Sequence, residues 1–246
     1  MTNKIQADRM YDTLRADILA CRLAPGSKLR INDIAAGAGV SLGAVREALS
    51  RLSAEGLVRA EAQKGYSVTA LSLAELRDLT DARIEIERLC LRRSIERGDI
   101  DWETGLVAAW HRLTKTHERT VEDGRWLSDK WATAHSAFHL ALVGACGSEK
   151  LLDLRRQLYE HSERYRRVST PFDDQDRDIR GEHAAIFQAA IDRRTDEACR
   201  LLADHIRATS RIIEEAPLPP ELIEPAMRTP SHQTSPSAAA GVRTEI

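Results

Sequence analysis

His135 and His139 stand four residues apart in "WATAHSAFHLALVG", a run that also carries Trp131, Phe138 and Leu142. In a helix these five positions fall at i, i+4, i+7, i+8 and i+11, so they share one face. A buried imidazole needs partners for both ring nitrogens; a single one finds them in a backbone carbonyl or a neighbouring side chain, and several converging on one bundle are harder to satisfy that way. The same sorting applies to all eight histidines, at 111, 117, 135, 139, 161, 183, 205 and 232. His183 shares a face with Ile186, Phe187 and Ala190, and His205 with Leu201, Leu202 and Thr209. Four inward histidines on three helices make a donor set for one divalent transition metal. His-x-x-x-His puts two donors on one face, and bundles build metal sites from facing helices. An all-imidazole set suits Zn(II) or Ni(II). His161 lies near the Leu154, Leu158 and Tyr165 stripe, where cavity lining and core packing are both open. His111 and His117 lack an apolar face, and His232 sits in the C-terminal tail.

The segments that must position these rings begin at Ser72-Leu73-Ala74-Glu75, a capping box. From there to residue 213 the pattern is helical, broken at Gly98-Asp99, Gly124, Gly147-Ser148, Ser169-Thr170-Pro171 and 193–196. The spacing predicts six helices of about 20 residues, and short connections make them an antiparallel bundle. Residues 1–72 read differently. "ADRMYDTLRADILACRL" places Met10, Leu14, Ile18 and Leu19 at helical spacing, and Pro25-Gly26 breaks it. A short helix follows around Ile31, Ile34 and Ala35, then a third with Ser41 as N-cap, an apolar stripe of Val45, Leu49 and Leu52, and Gly56 at its end. "LVRAEAQKGYSVTAL" reads as two strands turning at Gln63-Lys64-Gly65. Three helices and a hairpin make a winged helix-turn-helix. The fold class is therefore mainly α: a winged helix-turn-helix (1–72), an all-helical bundle (73–213), and a Pro/Ser/Ala-rich tail at 214–246 expected to be disordered.

The chain has 246 residues, 42% hydrophobic and 30% charged, with a formal net charge of −2. Residues 1–72 hold 10 Lys+Arg against 7 Asp+Glu, while the bundle and tail are net acidic, which fits a nucleic-acid-binding head on an acidic body. No run of about 18 apolar residues occurs, and the N-terminal stretch has no apolar signal core, so a cytoplasmic protein without membrane contact is expected. Cys21, Cys90, Cys146 and Cys199 form no C-x-x-C pair and read as reduced thiols. There is no H-E-x-x-H, and no E-x-x-H ends on any of the four clustered histidines, so the zincin and di-iron arrangements are missing. The chain is not expected to be an enzyme.

"MYDTLRADILACRLAPGSKL", "GVSLGAVREALSRLSAEGLV" and "KGYSV" resemble the DNA-binding head of GntR-family transcription regulators. "DARIEIERLCLRRSI", "FHLALVGACGSEKLL", "EHAAIFQAAIDRRTDEA" and "LLADHI" resemble the FCD ligand-binding domain of the FadR-type branch. Within that branch, "HSAFH" followed by "GACGS" is similar to the carbon-starvation-induced regulators. The resemblance implies a homodimeric, palindrome-binding transcription regulator, a repressor by default, acting on double-stranded DNA. It implies that Arg30, Asn32, Ser41, Gly43, Ala44, Arg46, Lys64 and Gly65 face that DNA; Arg46 has the fork that pairs with guanine. Leu42 and Asn32 stand where related chains often carry arginine.

The resemblance also places His139, His183 and His205 on metal-ligand positions and His135 where an aspartate is usual. His135 is then a fourth ligand or an effector contact. A metal with an open position attracts an anionic oxygen, so the implied effector is a small carboxylate or dicarboxylate. Arg83, which aligns with a cavity arginine of the family, together with His161, Arg164 and Arg166, would line its site. A regulator whose signal is the metal itself is the alternative.

Overall fold

A computed structural model describes residues 3–61, 65–120, 127–170 and 177–216. Lys64, Gly124, His232 and the tail from residue 217 onward lie outside the described residues.

The head runs α1 (Asn3–Leu19), β1 (Lys28–Leu29), α2 (Ile31–Ala38), α3 (Leu42–Ala54), β2 (Val58–Glu61) and β3 (Gly65–Val68). Its core joins Met10, Leu14 and Ile18 of α1 to Val45, Ala48, Leu49 and Leu52 of α3 and to Val58 and Val68 of the wing. The expected stripes are therefore the buried ones. Ser41 caps α3 by accepting from the Ala44 N–H at 3.1 Å, and Gly39 ends α2 at φ 64, a left-handed conformation suited to glycine. The sheet has strand order β1-β3-β2, antiparallel, with Lys28 opposite Ser67 and Val58 opposite Val68. β1 is an addition to the expected order. Two residues are too short to show a period of two, and only pairing with β3 reveals the strand.

The bundle consists, among the described residues, of α4 (Leu73–Arg97), α5 (Ile100–Thr114), α6 (Asp129–Val143), α7 (Glu149–Ser169), α8 (Ile179–Ile191) and α9 (Thr195–Glu215). The expected count holds, but lengths run from 13 to 25 residues. α5 stops at Thr114, well before the glycine expected to break it. Ser72 caps α4 by accepting from the Glu75 N–H at 3.2 Å. The Glu75 carboxylate accepts from Tyr165 Oη at 2.9 Å instead of closing the box. α4 packs against α6, α7 and α9 and forms the spine of the bundle. Phe138, Leu142, Leu91, Leu106, Ile186 and Leu202 are fully buried around it. Cys21, Cys90, Cys146 and Cys199 are all free thiols.

α7 also touches the head. Arg15 on α1 binds Glu55 at 2.9 Å and Glu160 of α7 at 2.5 Å. A third apolar cluster, built on Leu71, Leu76, Leu79, Tyr165, Val168 and Ile213, fills the junction.

Candidate metal centre

α6 carries His135 and His139 inward because Trp131, Phe138 and Leu142 on the same stripe are buried in the core. α8 contributes His183 and α9 His205, each from a helix whose apolar face packs into that core. All four rings are buried, with exposures of 0–7%. His139 Nε2 lies 3.1 Å from His135 Nε2 and 3.2 Å from His183 Nε2. One ligand nitrogen from each of the four residues falls within 4.8 Å of the others. Four nitrogens about 2.0–2.1 Å from a tetrahedral zinc would be about 3.3 Å apart. The three Nε2 atoms already approach that spacing.

Protonation favours ligation as well. Burial lowers the pKa of all four rings; neighbouring histidines and arginines press His135 and His139 further down, while Glu182 opposes the shift at His183 and His205. Neutral imidazoles have the lone pair that a metal requires. Two rings are also oriented from behind. His135 Nδ1 lies 2.9 Å from Tyr159 Oη, and His205 Nδ1 lies 2.7 Å from Glu182 Oε2. In both, the outer nitrogen is engaged and Nε2 is left for a metal. Burial pushes the Glu182 carboxyl up, but hydrogen bonds from His205 and Arg177 outweigh this and hold it at about 2. The donor set therefore fits a divalent transition metal. His139 Nδ1 is buried without a hydrogen-bond partner among the described residues.

Two adjoining hollows open beside the cluster and share His135, Arg166, His205 and Thr209. One reaches Arg83 and Ser162, the other Arg177 and Thr170. Arg83 donates to Ser162 Oγ at 2.7 Å, and its guanidinium lies 4.8 Å from the Tyr159 ring centroid. Arg166 lies 5.0 Å from the Trp131 ring and is held by Glu163. Arg83 and Arg166 are thus beside the histidines, as expected. His161 and Arg164 are not. Arg164 is buried against the head, where it donates to the Thr69 carbonyl, and His161 lies beside Gly56 at the end of α3. Neither lines either of these two hollows. The reason is angular: on α7, positions 159, 162, 163 and 166 face the pocket, whereas 160, 161 and 164 lie on the side toward the head.

Tyr159, Glu182 and Arg177 emerge only in the fold. Arg177 donates to Glu182, to Thr209 Oγ1 at 3.0 Å and to the His205 carbonyl at 2.9 Å. Behind Tyr159, Glu87 Oε1 accepts from Arg155 Nε at 3.0 Å and from Arg83 Nε at 3.5 Å. Arg83 and Glu87 at i and i+4 were visible in the sequence. A sequence separation of 68 between Glu87 and Arg155 hides the third member.

In the head, Arg46 is exposed and makes no hydrogen bond or ion pair with the described residues. Asn32 and Gly43 are exposed, and Arg30 pairs loosely with Asp33 at 3.9 Å. Ala44 is different: it is fully buried under α3, so it packs the core and cannot touch a base, contrary to expectation. Gly65, at φ 89, begins β3 on the solvent side. Ser41 spends its hydroxyl on the cap.

Residues 6–68 match the profile "Bacterial regulatory proteins, gntR family", and residues 78–208 match "FCD domain". The chain is a GntR-family regulator with an FCD domain. The FCD match encloses all four histidines and Arg83. Domains of this kind commonly hold a metal, and the GntR head makes double-stranded DNA a partner, with a small-molecule effector for the FCD domain. The regulator is 40% identical over 205 residues to the HTH-type transcriptional regulator BphR of Paraburkholderia xenovorans strain LB400, covering 83% of this chain and 84% of that one. It is 34% identical over 210 residues to the HTH-type transcriptional repressor GlaR of Escherichia coli K12, covering 84% and 94%. The McbR/YncC structure from E. coli shares the fold, with a TM-score of 0.71 at 17% identity over 85% of this chain and 97% of that one. The relatives are transcription regulators, and this chain is one too, not an enzyme.

Proposed function

We propose that this regulator is a cytoplasmic homodimeric repressor of a palindromic operator, released by a small carboxylate that binds beside a zinc- or nickel-loaded histidine cluster. Residues 1–72 act as the DNA-reading head and 73–213 as the sensing and dimerising body. The observation that carries the reading is α7. Its Tyr159 and Ser162 touch His135 and Arg83 in the pocket, and on another side of the same turns Glu160 and Arg164 hold the head at Arg15 and Thr69. The metal, when bound, supplies positive charge and an electrophilic position for an anionic oxygen. Arg83 and Arg166, which line the hollows beside the cluster, supply guanidinium groups for a carboxylate. Binding there favours one setting of α7 over another, and the head arrangement follows.

A second reading has its own support. Four imidazoles fill four tetrahedral positions, the closed arrangement of a structural or sensing site, so the ion itself would be the signal. One experiment separates the two. Metal content is measured on purified protein, and retardation of its own upstream DNA is then followed with and without metal, and with a panel of mono- and dicarboxylic acids. Release by an acid at constant metal supports the first reading; release or capture by metal alone, with every acid silent, supports the second. No retardation at low salt in any state would sink both.

A further inference from the structure

We propose that Leu42 reads a thymine methyl group in the major groove of the operator. Leu42 opens α3 and is 43% exposed, a large apolar side chain facing solvent at the end of the helix that meets base edges. Its neighbours narrow what that turn can do. Ser41 is committed to the cap, Gly43 has no side chain, and Ala44 and Val45 are buried in the head core. The side chains left to reach outward on this stripe are Leu42 and, one turn on, Arg46.

Those two have opposite chemistry. Arg46 is unpaired among the described residues and can give two hydrogen bonds to guanine O6 and N7. Leu42 can neither donate nor accept. In the major groove the feature that an alkyl side chain recognises is the C5 methyl of thymine. At i and i+4 the two side chains lie about 5–6 Å apart at Cβ, close enough to serve neighbouring base pairs. Contact with the methyl removes the Leu42 side chain from water, which gives this otherwise unfavourable exposure a use. The head thus reads a thymine beside a guanine, the first by apolar contact and the second by hydrogen bonds. This rests on the DNA-reading head described above.

The test starts from the full-length protein and a pool of random duplexes. Rounds of selection should enrich one motif with thymine next to guanine in each half-site. Each thymine of that motif is then replaced by uracil, which deletes only the methyl. Wild-type protein should lose about fourfold in affinity at one thymine per half-site, the worth of one buried methyl. Leu42→Ala should bind the thymine site more weakly and show no further loss with uracil, while its thermal unfolding changes little because the side chain lies outside the head core. Leu42→Arg should shift selection toward guanine at that position. Indifference of the wild type to every uracil, or an unchanged uracil penalty in Leu42→Ala, overturns the assignment while leaving the DNA-reading head intact. Failure to enrich any motif overturns both.

Discussion

α3 keeps Arg46 in water without a partner among the described residues, whereas α6 keeps His135 and His139 out of water with their Nε2 atoms 3.1 Å apart. On the proposed reading the exposed arginine gains its partner when DNA arrives, so its removal should cost binding and leave the fold unchanged. The buried histidines are held by Tyr159, by Glu182 and by each other, and their removal reaches the fold and the ligand together. The difference assigns the two tasks of a regulator by solvent. On the proposed reading, recognition of a partner that comes and goes sits on the surface, and sensing of a small ion or acid sits where the dielectric is low and each charge counts for more.

The largest effect that would sharpen this contrast is expected at the centre of the cluster. His139→Ala should lose its bound metal entirely, since His139 Nε2 contacts two of the other rings, and His135→Ala should lose it too if His135 is a ligand. Elemental analysis after dialysis reads this; retention by His135→Ala alone would reassign that ring to the effector. Next is Glu87→Ala. It leaves Arg155 and Arg83 buried without their carboxylate and should cost about 3–5 kcal/mol in urea unfolding. A cost below 1 kcal/mol would mean that water already reaches the pair.

Glu182→Gln should weaken metal affinity by about 10–100-fold in a competition titration, through loss of the charge that orients His205. Unaltered affinity would remove Glu182 from the centre. On the other side of the comparison, Arg46→Ala should cost about 1–3 kcal/mol of discrimination at one base pair and leave the melting temperature alone. A drop in melting temperature would show that Arg46 belongs to the fold after all. The smallest change is expected between the regions. Glu160→Gln breaks the partly exposed pair with Arg15, so stability should fall by about 1 kcal/mol or less. The response of DNA binding to metal or acid should nonetheless shrink, and an undiminished response would exclude this contact from the path.

The head was readable because its signals are local. Ser41 three residues before Ala44, and Val45, Leu49 and Leu52 at helical spacing, act within one helix. Ala44 was misread because a small residue is compatible with both a DNA-facing surface and a tight core, and only the position of α1 decides between them. The histidines were sorted by the same helical arithmetic, since each shares its stripe with large apolar residues. His161 and Arg164 were not, because α7 is partnered on two sides. Its stripe of Leu158 and Tyr165 says that a face is covered and says nothing of whether the cover is the pocket or the head, and Leu154 on the same stripe is exposed.

By itself the sequence determined the two domains, the helices, and which four imidazoles turn inward, because periodicity and capping act over a few residues of one chain segment. The tertiary structure decided the rest. It brought His183 and His205 to within hydrogen-bonding range of residues 23 to 44 positions away, put Tyr159 and Glu182 behind the rings, and turned one side of α7 to the pocket and the other to the head. Those choices depend on the rotation of one packed helix against another. That rotation is set by the whole core, and no short window of sequence carries it.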